Sequence, residues 1–164
     1  MLTLEGSQTA PGLKFAIVVS KFNDFVTDRL AAGALAGLKS AGVPGGDICV
    51  IKVPGAFEIP FAAKEAAAPG NVAAVICLGC LIRGATAHFE YIASACAHGI
   101  TDAAAATGVP MTFGVLTTNS VEEALERAGE GPANKGWEAA IAAVEMATLQ
   151  RALHMPKTAG GVNI

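Results

Sequence analysis

What this chain lacks narrows its class before any motif is read. Only 15% of its 164 residues are charged, against about 25% in an average soluble protein. There is no run of Lys or Arg, and the formal net charge is −3. A nucleic-acid binder should carry a basic stripe, so that class is excluded. No stretch reaches the roughly 18–20 uninterrupted apolar residues of a membrane-spanning helix. The longest, Val72 to Ile82, stops at Arg83. Met1 to Ser7 shows neither the cationic start nor the apolar core of a signal peptide, and the cytoplasm is the expected compartment. Cys77-x-x-Cys80 has no second pair to complete a zinc set. Residues three apart on a strand point to opposite faces, and free Cys is most often core, so Cys49, Cys77, Cys80 and Cys96 read as buried structural thiols. Histidines offer no metal site either. His98 would lie about 15 Å along a helix from His88, and His154 is far off near the C-terminus.

What is present is apolar: 52% hydrophobic residues and a mean hydropathy of +0.49. An Ala-rich core would explain part of this. Apolar surface buried between subunits would explain more, and an oligomer is the expectation. The length fits one domain, residues 1–164, with a substantial core.

Four apolar, β-leaning runs occur, at Lys14–Ser20, Ile48–Pro54, Val72–Gly79 and Met111–Thr117. A helical pattern follows each. Val26, Leu30, Ala34 and Leu38 recur at helix spacing, with Gly42 as a C-cap. Ala56 to Ala68 follows the second run, with Pro60 tolerable in a first turn. The third leads into a helix from His88 towards Thr107. Ser120-Val-Glu-Glu123 reads as a capping box, and a last helix spans about Lys135 to Leu153, with Trp137, Ile141, Val144 and Thr148 on one face. Strands alternating with helices pair in parallel through right-handed crossovers. The predicted fold is a three-layer α/β/α sandwich on a four-stranded parallel sheet, helices covering both faces. Residues 1–13 form an arm with a weak Leu2/Leu4 alternation, and 154–164 a tail expected to fray.

The carboxyl ends of parallel strands lie on one edge, where open α/β sheets bind ligands. They supply Ser20-Lys21-Phe22-Asn23, Val53 to Pro60, the Arg83–His88 cluster and Thr117-Thr118-Asn119. Glu58 has two readings: a first-turn carboxylate complementing the helix dipole, or an acceptor for substrate hydroxyls. His88 is a surface residue or a proton shuttle, imidazole being the group that titrates near neutrality. Gly84-Ala85-Thr86 is neither a P-loop nor a dinucleotide fingerprint, yet it can offer N–H groups and a hydroxyl to one phosphate. Arg127 and Lys135 flank a turn between the last two helices. Arg127 becomes a phosphate clamp only if something brings it to Thr86.

Taken in order, several motifs resemble the lumazine synthase family of riboflavin biosynthesis. They are Lys21-Phe22-Asn23, Val53-Pro-Gly-Ala-Phe-Glu-Ile-Pro60, Leu78-Gly-Cys-Leu-Ile-Arg-Gly-Ala-Thr-Ala-His-Phe-Glu-Tyr91, Phe113-Gly-Val-Leu-Thr-Thr118, Arg127-Ala-Gly129 and Asn134-Lys-Gly136. The resemblance covers about residues 13 to 152 and implies a flavodoxin-like sheet. It also implies condensation of 5-amino-6-(D-ribitylamino)uracil with 3,4-dihydroxy-2-butanone 4-phosphate, giving 6,7-dimethyl-8-ribityllumazine, phosphate and water. By that resemblance Phe22 stacks on the pyrimidine, Cys80, Leu81 and Ile82 line it, and Ala56, Phe57 and Glu58 hold ring and ribityl chain. Ala85, Thr86 and Arg127 take the phosphate, and His88 moves protons. Phe113, Arg127 and Lys135 come from the neighbouring subunit of a homopentamer. The chemistry has no redox step and calls for no cofactor and no metal. Relatives often have an acidic residue at Ala85 and a proline at Ala87. The turn Gly129 to Lys135, unusual in holding Pro132, keeps the compact length of relatives that form a shell of roughly 60 subunits, twelve pentamers in closed symmetry. Riboflavin synthase is a candidate associated partner. Two other readings stand beside the enzyme: a catalytically silent shell or scaffold protein of the same fold, and a flavin carrier. The retained site residues argue against the first, and the lack of a phosphate loop after the first strand argues against the second.

Overall fold

The run Phe-Ala-Ile-Val-Val-Ser has nothing in it that needs water until its last residue, and it becomes the centre of the molecule. In the structure, a computed structural model describing residues 1–155, this run forms β1 (Phe15–Ser20), buried at every position. β2 (Ile48–Val53) pairs with it on one side and β3 (Ala74–Ile82) on the other. β4 (Met111–Thr118) pairs with β3. All pairings are parallel and the order is β2-β1-β3-β4. The order reverses between β1 and β3, the switch point at which doubly wound sheets bind ligands.

Alternation along the strands divides the core in two. Phe15, Ile17 and Val19 of β1 meet Leu78 and Cys80 of β3 on the face covered by α1 (Asp24–Ser40), α4 (Val121–Arg127) and α5 (Lys135–His154). Ala16, Val18, Val75 and Cys77 face α2 (Ile59–Ala67) and α3 (His88–Thr107). The three-layer α/β/α expectation therefore holds. Cys77 and Cys80 do point to opposite faces. Among the described residues no helix is long and apolar enough to cross a membrane.

Val26, Leu30, Ala34 and Leu38 are fully buried on α1. The helix ends as its glycine predicts: Gly42 has φ 82°, and the Gly42 and Val43 N–H groups donate to the Lys39 and Leu38 carbonyls. That is a Schellman closure. Several expectations need correction. β3 starts two residues later than expected and runs on to Ile82, because Arg83 N–H still finds the Thr118 carbonyl at 2.8 Å. The second helix splits into a 3₁₀ turn, Ala56–Glu58, and α2, with Pro60 in the first turn as expected. β2 is not covered on both faces, since Cys49, Val50 and Lys52 are exposed on this edge strand, so Cys49 is not the buried thiol expected.

The capping box before α4 is only half built. Ser120 Oγ accepts from Glu123 N–H, but Glu123 Oε2 accepts from Asn119 N–H, one residue short of the reciprocal bond. The buried face of α5 is not the expected stripe either. Only Val144 of Trp137, Ile141, Val144 and Thr148 is buried, and the core face is Gly136, Ala139, Ala140, Ala143, Val144 and Ala147. Periodicity of large residues misled here because α1 comes too close for them. A Cβ on Gly37 would stand 3.2 Å from the Ala140 methyl. The arm 1–13 forms no strand but is tied down, with Ser7 N–H on Thr148 Oγ1 and Ala10 N–H on the Ala41 carbonyl. His154 ends α5, and residues 156–164 of the expected tail lie outside the described residues.

Candidate active site

Past the ends of the strands the backbone stays laced together. Lys21 and Phe22 N–H groups donate to the Val53 and Pro54 carbonyls at 2.8 and 3.1 Å. Asn23 takes a left-handed conformation, φ 59°, which Asn tolerates better than most residues. From there its Nδ2 reaches the Cys80 carbonyl at 2.9 Å. The segments after β1, β2 and β3 are thus held side by side at the switch point. Phe22 is left standing out in solvent, two-thirds exposed at 67%. Ala56 is buried beneath Phe57 and Glu58, which are exposed.

Glu58 serves the local fold as well. Its Oε2 accepts from Gly55 N–H at 2.9 Å, closing the turn before α2. That leaves its other oxygen outside the turn's hydrogen bond. Cys80 is buried while Leu81 and Ile82 are half-buried, so of the three side chains only the last two reach the surface. Burial pushes the Cys80 and Cys96 thiols up to about 11 and raises Cys77 further, with Cys96 nearby adding to it. Such thiols stay protonated and unreactive.

The Arg83–His88 segment divides into a clamp and an open end. Arg83 donates from Nε to Asn119 Oδ1 at 3.0 Å, pairs through Nη1 with Glu90, and lies over the Phe89 ring, 4.5 Å from its centroid. The Glu90 carboxyl is held below the usual carboxylate range, first by its own helix N–H and then by Arg83. The arginine that seemed one of the gathered site groups is therefore spent on fixing the turn. Beyond it Gly84, Ala85, Thr86 and His88 are exposed, and no hydrogen bond among the described residues engages the His88 ring. The N-terminus of α3 has no side-chain cap, whereas Ser120 and Asn134 cap α4 and α5. Uncapped N–H groups beside a threonine hydroxyl suit an anion.

Phe113, Arg127 and Lys135 are elsewhere. They line a cavity of about 480 Å³ along the outer edge of β4, with Thr112, Glu138 and Ala142. Phe113 pairs with Cys77, five positions before Ile82 pairs with Thr118. At about 3.3 Å per residue, that is roughly 16 Å from the carboxyl edge. Neither Phe22 nor His88 lines that cavity.

A family model described as 6,7-dimethyl-8-ribityllumazine synthase matches residues 12–151. A relative of that name from Syntrophus aciditrophicus (strain SB) is 54% identical over 147 residues, 90% of this chain and 96% of its own length. The chain belongs to the 6,7-dimethyl-8-ribityllumazine synthase family. For a lumazine synthase, the separation of the two groups of residues is informative rather than awkward. Phe22, Ala56 to Glu58, Cys80 to Ile82, Ala85, Thr86 and His88 lie at the carboxyl ends of β1, β2 and β3, whereas Phe113, Arg127 and Lys135 line the β4 cavity. Sequence reasoning passed over Asn23 as a tether and Glu138 as an ion-pair partner. Among the described residues the lone non-glycine residue with positive φ is an Asn, and Glu138 lies three residues from Lys135. Both signals were present in the sequence but weak.

Proposed function

We propose that this chain forms 6,7-dimethyl-8-ribityllumazine from 5-amino-6-(D-ribitylamino)uracil and 3,4-dihydroxy-2-butanone 4-phosphate, at a site built by two neighbouring copies. The observation that carries this reading is the split of the family's site residues between the carboxyl edge and the outer edge of β4. A cyclic homopentamer would apply the β4 edge of one copy to the switch point of the next, a head-to-tail contact that closes into a ring. Exposed Phe22, Phe57 and Phe113 then become the walls of a closed site.

In that site the pyrimidine stacks on Phe22 and lies along Leu81 and Ile82. The free oxygen of Glu58 accepts from ribityl hydroxyls. The phosphate sits on the uncapped start of α3 and on Thr86, with Arg127 of the neighbour completing the clamp. The amine attacks the ketone and water leaves to give an imine. Phosphate then departs by elimination as the adjacent carbon loses its proton. The resulting enol becomes a ketone, and the second amine closes the ring on that ketone with release of a second water. His88, exposed beside the phosphate turn, takes and returns protons in these steps. Arg127 and the helix N–H groups stabilise the leaving phosphate. Holding two substrates together supplies much of the remaining acceleration. The reading includes a cytoplasmic enzyme, no cofactor, twelve pentamers in a larger shell, and riboflavin synthase as a candidate associate.

The test is a direct assay of the two substrates with the purified protein. Lumazine fluorescence and phosphate release should appear together, well above the spontaneous rate. Product formation no faster than without protein would reject the enzyme and favour a scaffold of the same fold.

A further inference from the structure

The cavity on the β4 edge holds two cations and treats them oppositely. Lys135 opens α5, at the positive end of a long helix dipole, the wrong end for an ammonium. Both oxygens of Glu138 hold its Nζ, at 2.9 and 2.7 Å. Arg127 ends α4, the favourable end for a cation. It donates from Nη1 to the Glu123 carbonyl at 3.0 Å and forms no ion pair among the described residues. A carboxylate was within reach, because Glu123 stands four residues earlier, the spacing of a helical ion pair. The structure turns that carboxylate away, onto Asn119 N–H at 2.9 Å.

We propose that Glu138 is a positioning and specificity-determining residue that neutralises Lys135, so that of the two cations in this cavity only Arg127 takes the phosphate dianion. This rests on the reaction proposed above. A paired lysine presents a dipole, while an unpaired guanidinium presents full charge and a fork matched to phosphate oxygens. Lys135 released from Glu138 would add its charge to the N-terminus of α5 and become a rival anion site. Held by Glu138, it remains an oriented N–H donor for a neutral oxygen of the other substrate. In the lone chain the pair is half exposed, 44% and 50%, where ion pairs contribute little. Closure by a second copy removes water and strengthens the partition.

The test uses the assembled protein and inorganic phosphate, with binding read by calorimetry and inhibition read in the lumazine assay. Glu138→Gln should tighten phosphate binding by about fivefold or more and raise KM for the pyrimidine, and Glu138→Asp should restore both. Lys135→Met added to Glu138→Gln should return phosphate affinity to the wild-type value. Lys135→Met alone, which leaves the Glu138 carboxylate uncompensated beside Arg127, should weaken phosphate binding, which keeps the idea testable even if Glu138→Gln fails to assemble. Unchanged phosphate affinity in Glu138→Gln, with only a lower melting temperature, would reduce Glu138 to a helix-stabilising partner and overturn the proposal. So would a phosphate affinity in Lys135→Met equal to that of the wild type. Calorimetry needs no turnover, so a wild-type protein that binds phosphate but makes no lumazine sinks the reaction and leaves this question separately answered.

Discussion

Against one face of the sheet, α1 and α5 lie so close that side chains have almost no room. A Cβ on Gly136 would stand 1.9 Å from the Leu30 carbonyl oxygen, and one on Gly33 would meet the Asn134 side chain. Against the other face, α2 and α3 cover the core but leave Phe57, Phe61 and Tyr91 standing in solvent, the last two more than 70% exposed. The contact between α1 and α5 is finished within the chain, its close approach built from Gly and Ala. The other face carries large apolar groups that nothing in the chain covers. A patch of that kind marks a protein interface. The contrast shows where a chain with 52% hydrophobic residues carries them: alanines fill much of the core, and large groups such as Phe61 and Tyr91 stand at the surface.

Substitutions on the two faces should therefore fail in different ways. The largest effect belongs to Gly136→Ala. Its methyl would collide with backbone, and overpacking of that kind costs about 3 kcal/mol or more. Denaturant melts should show the loss, whereas a near-neutral result would mean that the α1–α5 contact is looser than described. Next comes Arg127→Ala, which removes charged hydrogen bonds to phosphate worth about 1.5–3 kcal/mol. The KM for the phosphate substrate should rise accordingly while the fold stays intact, and equal affinity before and after would remove Arg127 from the site. The smallest of the three is Phe61→Glu. The chain should keep its helical circular dichroism, but assembly should weaken at least tenfold, about 1.4 kcal/mol. Sedimentation across a dilution series would register it, and an unaltered assembly would mean that the open face serves something other than a neighbouring copy.

Much of this was legible from residues alone where one physical cause dominated. Uniformly apolar runs became strands, Gly42 ended α1, and His88 opened α3. The errors fell where two causes competed. α5 was assigned a face by its largest residues, but the narrow gap to α1 selected its smallest. Glu123 was expected to complete a capping box, yet the Asn119 N–H was the better partner. Arg83 looked like a member of the site, and Glu90, Asn119 and Phe89 claimed it instead. Spacing along the chain could not reveal that Phe113, Arg127 and Lys135 sit apart from His88. That fact belongs to sheet order and register, and only the resemblance to a family hinted at it.

The central claim is that one catalytic site is made from two copies, and mixing inactive variants tests it most directly. His88→Ala disables the carboxyl-edge half and Arg127→Ala the β4 half. The two are unfolded together in equal amounts, reassembled, and assayed at low phosphate substrate. Random closed rings should pair two intact halves at about a quarter of their interfaces. The account predicts recovery of about a quarter of wild-type activity. Activity no greater than the average of the two variants reassembled separately would contradict it.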